Sequence, residues 1–160
     1  MNSFLFKIIS LLILALLHAN VSAKEIELLK AERIAEDVDF PVALCYFDKD
    51  TILFTEKGGY IKIIKNGRLQ KEPLKKLDVT TGFERGLLGI ACREKKVYVY
   101  YTYTKSLKTY NRVVSLFPEK IIIDKIPGAI IHNGGILAFA KKAPFIYLLE
   151  MQMIKIYHRR

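Results

Sequence analysis

The feature that most constrains the fold is a strand-turn-strand unit that occurs three times at an even interval. The units are LCYFDKDTILFT, IACREKKVYVYY and LAFAKKAPFIYL, which start at Leu44, Ile90 and Leu137 and so recur every 46 to 47 residues. Each has an apolar run of strand length on either side of a charged turn. Short strands that recur at this period are typical of β-propeller blades, each a four-stranded antiparallel sheet. A β-sandwich, whose strands also alternate with turns, is the alternative that periodicity leaves open.

Short runs rich in Val, Ile, Tyr and Phe fill the sequence between these units and predict an all-β domain. Charged or glycine-containing turns such as Lys57-Gly58-Gly59 separate the runs, and Asn66-Gly67 is a two-residue hairpin signal. A helix is indicated only weakly, over residues 25–36, and the same residues could form a strand. The expected strands cover residues 42–47, 51–55, 60–64, 68–70, 97–104, 111–117 and 120–123.

The first 23 residues have the layout of a secretory signal peptide. A short basic head is followed by an apolar run over residues 8–17 and by the small residues Val21-Ser22-Ala23, which suit a cleavage site. The apolar run is too short to span a bilayer. We therefore expect cleavage near Ala23, export to the periplasm, cell surface or medium, and no stable membrane span afterwards. The alternatives are an uncleaved anchor and a first strand of the fold.

The formal charge of +10 does not predict a nucleic-acid partner. Residues 24–140 carry 20 basic and 15 acidic side chains, and the basic ones are spread singly among strand-like segments. A phosphate-binding surface would instead need basic residues clustered on one face, with a recognition motif between them. A solvated surface explains the charge better.

Cys45 and Cys92 are the only cysteines, and both stand in apolar stretches. Cysteines in such surroundings commonly behave as small apolar side chains, so we expect two buried free thiols. Export would permit a disulfide between them, which is the alternative. Without a histidine at ligand spacing, two cysteines do not predict a zinc site. We assign no metal ligand from the sequence.

Four longer stretches together carry a resemblance to a known family. They are FPVALCYFDKDTILFTEKGGYIKII (40–64), GFERGLLGIA (82–91), VYVYYTYTKSLKTYNRVVSL (97–116) and IPGAIIHNGGILAF (126–139). In this order and spacing they resemble the N-terminal part of the glucose/sorbosone dehydrogenase family. The resemblance implies an all-β fold of the six-bladed β-propeller family, with only the first two to three blades in this chain, over residues 24–140.

The same resemblance implies an activity and its partners. Members of the family are exported oxidoreductases that oxidise the C1 hydroxyl of aldose sugars, with hydride transfer to pyrroloquinoline quinone (PQQ) in the presence of calcium. An aldose and an electron acceptor would be the partners of the intact enzyme, and no nucleic acid is expected. The alternative function is a non-enzymatic β-propeller or β-sandwich that binds carbohydrate or protein at the cell surface.

The candidate site residues lie in two of the four stretches. Loops that enter the inner strands of a propeller converge on its channel, so Glu84 and His132 should both point there. A carboxylate and an imidazole in one concave site suit acid/base chemistry. By resemblance His132 matches the general base that takes the proton from the anomeric hydroxyl, and Glu84 and Asn133 match cofactor-binding positions. Arg85 is a further candidate. A hydrogen-bonded structural histidine is the alternative for His132.

Two neighbouring patterns also bear on ligand contacts. The glycines at 134 and 135 would keep the backbone free of Cβ atoms where a flat cofactor or a sugar approaches. Four tyrosines of one strand could suggest a sugar-stacking surface, but alternate residues of a strand face opposite sides, so we expect them to pack the sheets. These tyrosines are Tyr98, Tyr100, Tyr101 and Tyr103.

After Phe139 the sequence departs from the family pattern, which continues with a turn, a strand and a motif like TTGDA. One permitted coding of residues 148–155, read two bases later, gives TGDANDK. We therefore expect residues 141–160 to be a frameshifted tail, and a short protein with a divergent tail is the alternative. The groups that hold calcium and quinone in the family lie downstream. The resemblance therefore implies that this chain alone binds neither cofactor and is inactive.

Overall fold

The structure, a computed structural model, describes residues 31–139, 146–150 and 153–155. All the regular secondary structure in these ranges is β-strand. None of the described residues forms a helix that is long and apolar enough to cross a membrane. The predicted signal peptide lies outside the described residues. The strands are β1 Pro41–Asp48, β2 Thr51–Glu56, β3 Tyr60–Lys65, β4 Arg68–Leu69, β5 Lys75–Lys76, β6 Leu87–Arg93, β7 Lys96–Lys105, β8 Lys108–Leu116, β9 Glu119–Pro127, β10 Ile136–Phe139, β11 Ile146–Glu150 and β12 Met153–Lys155.

The strands form three antiparallel sheets that follow one another along the chain. The first contains β1 to β4 in order, with β5 also paired to β3, the second β6 to β9, and the third β10 to β12. Their first strands, β1, β6 and β10, carry the starts of the three repeat units, and β6 contacts both β1 and β10. Each repeat unit therefore opens one sheet, and neighbouring sheets pack through their first strands, which is the blade arrangement that the interval predicts.

Most strand predictions are confirmed, whereas the weak helix is not. All seven expected strands form, with ends that differ by a few residues. Asn66 and Gly67 have φ of 51° and 71°, the left-handed values that a tight mirror-image hairpin turn needs. The described part of the helix candidate has no regular structure. Its residues Ile34 and Ala35 instead line an apolar hollow of about 380 Å³ beside β1, which an extended segment can reach.

Two apolar clusters fill the spaces between the sheets, because β7 presents alternate side chains to opposite faces. Tyr101 and Tyr103 belong to the cluster between the first and second sheets, and Tyr98 and Tyr100 to the cluster between the second and third. The prediction that these tyrosines pack the sheets is confirmed. The most deeply buried apolar side chains of the two clusters include Ile61, Leu87, Val97, Val99 and Val113.

Cys45 and Cys92 are joined by a disulfide, with their Cα atoms 5.7 Å apart, so the prediction of two free thiols is wrong. Cys45 lies in β1 and Cys92 in β6, the contacting first strands of two neighbouring sheets. Their separation of 47 residues is within one residue of the 46-residue interval between the first two repeat units, which places them at nearly corresponding points of adjacent sheets. The repeat that builds the fold therefore also brings the two thiols together.

Candidate functional site

Two loops carry the predicted site residues, and each leads into the first strand of a sheet. Residues 82–86 precede β6 and residues 128–135 precede β10. The backbone N–H of Glu84 donates to the carbonyl of Ile130 at 3.3 Å. The carboxylate of Glu84 accepts a hydrogen bond from the backbone N–H of His132. The structure thus brings Glu84 and His132 together, although 48 residues separate them in the sequence.

The contact between these two residues differs from a simple acid/base pair. The Glu84 carboxylate is bonded to the main chain of His132, and this bond leaves the imidazole outside the contact. Both residues are exposed. His132 has a φ of 61°, in the left-handed region that residues other than glycine rarely adopt. Glu84 therefore fixes the strained backbone from which the imidazole projects.

The loop that carries Glu84 is held by Lys57, from the turn between β2 and β3. The carbonyl of Lys57 accepts a hydrogen bond from the Leu87 N–H at 3.0 Å, and its ammonium donates to the Phe83 carbonyl. A Cβ atom at Gly86 would lie only 2.5 Å from the Lys57 carbonyl oxygen, so the close approach requires glycine there. Sequence reasoning identified this turn but gave no sign that it holds the site.

The loop that carries His132 is closed by the side chain of the next residue, Asn133. Its Oδ1 accepts from the Ala129 N–H and its Nδ2 donates to the Ala129 carbonyl, both at 3.0 Å. Only 3% of Asn133 is exposed. The structure therefore gives Asn133 a role inside the protein. The cofactor contact predicted for Asn133 stays a prediction, and these hydrogen bonds do not support it.

Gly135 of the HNGG sequence packs against the backbone of the GLLG sequence, at Leu88 and Gly89. A Cβ atom at Gly135, which has a φ of 129°, would lie 2.8 Å from the Leu88 Cβ. A Cβ atom at Gly89 would run into the Gly135 carbonyl oxygen. Gly135 therefore lets two backbones pack together, and the interpretation that it keeps space for a cofactor or a sugar is corrected. The packing sets the distance between the two site loops.

The described residues supply no calcium site built from histidine, cysteine or acidic side chains. Among them, no three or more His, Cys, Asp or Glu side chains come close enough to hold a metal ion, whereas calcium takes six to eight oxygen ligands. The two cations beside the site, Lys57 and Arg85, are each bonded to a backbone carbonyl, of Phe83 and Gly82. What the two loops supply is an exposed imidazole on a fixed backbone.

Comparisons with solved structures agree with the fold. The chain resembles an oxidoreductase described as a glucose dehydrogenase from Thermus thermophilus, with 26% identity and a TM-score of 0.67, over 76% of this chain and 40% of that one. It also resembles the apo-form of the soluble aldose sugar dehydrogenase from Escherichia coli, with 19% identity and a TM-score of 0.65, over 74% and 40%. Another glucose dehydrogenase has 17% identity and a TM-score of 0.66, over 76% and 41%.

The chain spans about 40% of the length of these solved relatives. No curated protein matches it. The sequence pattern of the family described as Glucose / Sorbosone dehydrogenase matches residues 38–146, which include both site loops and all of β1 to β10. The predicted all-β, β-propeller type of fold is confirmed, with part of the domain present. This chain belongs to the glucose/sorbosone dehydrogenase family.

Proposed function

We propose that this chain is the N-terminal part of an exported quinoprotein that oxidises the C1 hydroxyl of aldose sugars, with PQQ as the hydride acceptor. The observation that carries the proposal is the meeting of Glu84 and His132 on two adjacent loops, inside the region that matches the family. His132 is the general base in this proposal, and Glu84 is the residue that holds it in place.

The proposed reaction assigns one step to the described residues. A neutral imidazole has a nitrogen lone pair that can take the proton of the anomeric O–H as that bond breaks. The C1–H bond breaks with its electron pair, which leaves as hydride, and a C1=O bond forms, so the aldose becomes a lactone. The chemistry that PQQ would supply when bound is acceptance of this hydride. The groups that would hold it are proposed to lie outside the described residues.

Glu84 contributes to this step through the backbone of His132. A carboxylate that accepts from a backbone N–H makes a charge-assisted hydrogen bond, which is stronger than one between neutral groups. The bond holds the main chain in the left-handed conformation and so limits where the imidazole can lie. Holding a base in place before the substrate arrives lowers the entropic cost of reaching the transition state.

Export is part of the proposal and rests on two observations. The first 23 residues read as a signal peptide. The Cys45–Cys92 disulfide fits the same compartment, since disulfides persist in oxidising surroundings and are rare in the cytosol. Cell fractionation would test export, because the proposal expects the processed chain outside the cytoplasm and an unprocessed cytoplasmic chain would contradict it.

The function can be tested with two forms of the protein. The first is residues 24–160, and the second continues after residue 142 in the alternative reading frame. With PQQ and calcium added, we expect the second form to shift the absorbance of the quinone and to reduce a dye when aldoses are supplied. The first form should do neither. Tight quinone binding by the first form would contradict the proposed division of the site. Sugar binding without dye reduction by the second form would favour a carbohydrate-binding module.

A further inference from the structure

A buried polar network lies beneath the loop that carries His132. Its four residues come from β7, β8 and the loop, and each is at most 3% exposed. Polar groups buried this deeply cost free energy unless they are hydrogen-bonded, so their partners indicate what the network holds. The four residues are Tyr100, Thr102, Asn111 and Asn133.

Asn111 is the centre of this network. Thr102, its cross-strand partner in β7, donates its hydroxyl to the Asn111 Oδ1 at 2.7 Å. Because that oxygen faces the hydroxyl, the Asn111 amide nitrogen turns towards the loop. It donates to the Asn133 Oδ1 at 3.2 Å and to the Pro127 carbonyl at 3.4 Å. Thr102 thus orients Asn111, and Asn111 contacts Pro127, just before the loop, and Asn133 within it.

The loop is tied to the sheet at a second point. The Tyr100 hydroxyl donates to the Asn133 carbonyl at 2.6 Å. Asn133 is therefore held through its side chain by Asn111 and through its main chain by Tyr100. His132 is the residue just before it and is in the left-handed region. The conformation at His132 is thus fixed on one side by the Glu84 carboxylate and on the other by this network.

We propose that Asn111 is a positioning residue for His132. It touches neither sugar nor cofactor, and it acts through Asn133 on the backbone that presents the imidazole. The inference rests on the proposed function for the role of His132 as a base. The β8 strand itself does not need the amide, since a leucine would fill a similar volume and leave the strand's backbone pairing intact. The amide is needed for its bonds to the loop.

Amide hydrogen exchange measured by NMR on the whole chain tests this proposal. In Asn111→Leu, we expect the protection factors of the Ala129 and His132 amides to fall at least about tenfold, because the loop loses its bonds to β8. Amides in the middle of β7 should keep their protection. Ser115→Ala is the matched control, because Ser115 lies on the same strand and donates to the Pro118 carbonyl at 2.8 Å. It should leave the loop unchanged.

Asn111→Asp adds a readout that a purely structural role would not move. Its ionised carboxylate would place an acceptor against the Asn133 Oδ1, so loop protection should also fall near neutral pH. Burial disfavours the charged form and raises the carboxyl pKa above its ordinary value of about 3.9. Below this raised pKa the acid O–H can donate to Asn133, so protection should return as pH falls and be lost as pH rises. Asn111→Leu should show no such return.

A milder variant covers the case in which the Asn111 variants do not fold. Thr102→Val is nearly isosteric and removes only the hydroxyl that orients Asn111, so protection should fall several-fold in the loop alone. Loop protection equal to wild type in the folded variants, or an equal loss throughout β6 to β8, would overturn the proposal. The measurement needs neither sugar nor quinone. A protein that continues in the alternative reading frame and has an intact loop, but shows no dye reduction, would therefore contradict only the proposed function.

Discussion

Reduction of the Cys45–Cys92 disulfide should lower the free energy of unfolding by about 4 kcal/mol. The bond closes a loop with a sequence separation of 47 residues. In the chain-entropy description, a loop of that length lowers the entropy of the unfolded chain enough to give this value at room temperature. The bond also links β1 to β6, the contacting first strands of two neighbouring sheets. The midpoint of thermal unfolding should fall by about 10 °C.

Urea unfolding followed by circular dichroism is the suitable assay, because the sequence contains no tryptophan. The oxidised protein, the protein reduced with dithiothreitol, and Cys45→Ala/Cys92→Ala should be compared. The reduced protein and the double variant should unfold at similar, lower urea concentrations with a steeper dependence on urea, since an unlinked chain exposes more surface. Thiol titration of the denatured, unreduced protein should find no free thiol. Two free thiols, or a loss below about 1 kcal/mol on reduction, would refute the reasoning.

Two further predictions concern the loop packing and the response to acid. Gly135→Ala should destabilise the protein by about 3 kcal/mol, because its new Cβ would meet a leucine side chain at 2.8 Å and its φ is 129°. Gly58→Ala, with open space around it, is the control for chemical denaturation. Burial opposes ionisation of Asp124, but the hydrogen bonds from the Tyr103 hydroxyl and the Lys125 backbone N–H, together with the Arg112 charge, outweigh it and keep the Asp124 pKa below its usual range. This stabilisation is present above the ordinary pKa and is lost as pH falls through the lowered one, so acid unfolding below about pH 4 should be shallower in Asp124→Asn. An equally steep acid transition in the variant would show that protonation of Asp124 does not contribute to acid unfolding.

Local patterns explain why so much of the fold follows from the sequence. The alternation of β-branched and aromatic residues locates the strands. The Asn66-Gly67 pair fixes a turn because few pairs of residues can both adopt the left-handed conformation. The repeat interval places the first strand of each sheet. It also holds the signal for the disulfide, since Cys45 and Cys92 stand one interval apart. Burial in apolar stretches favoured free thiols, and that local argument was outweighed by the repeat.

The sequence predicts which residues form the site better than it predicts the contacts between them. Glu84 and His132 were expected together because both precede first strands, but the bond between the carboxylate and a backbone N–H depends on loop geometry over 48 residues. Lys57 acts partly through its backbone carbonyl, which no side-chain pattern reveals. Asn111 did leave a signal: its amide belongs to a predicted strand, and Thr102 is its cross-strand partner. A polar residue at a buried strand position calls for a partner.

The central claim is that His132 is the base of a sugar dehydrogenase. The most direct test is the kcat of aldose-dependent dye reduction in the protein that continues in the alternative frame, loaded with PQQ and calcium. His132→Gln keeps some hydrogen bonding without the basicity. If His132 is the base, this variant should still bind the quinone but should lose about 10²- to 10⁴-fold in kcat. A kcat close to wild type in His132→Gln would contradict the claim and leave His132 as a structural histidine.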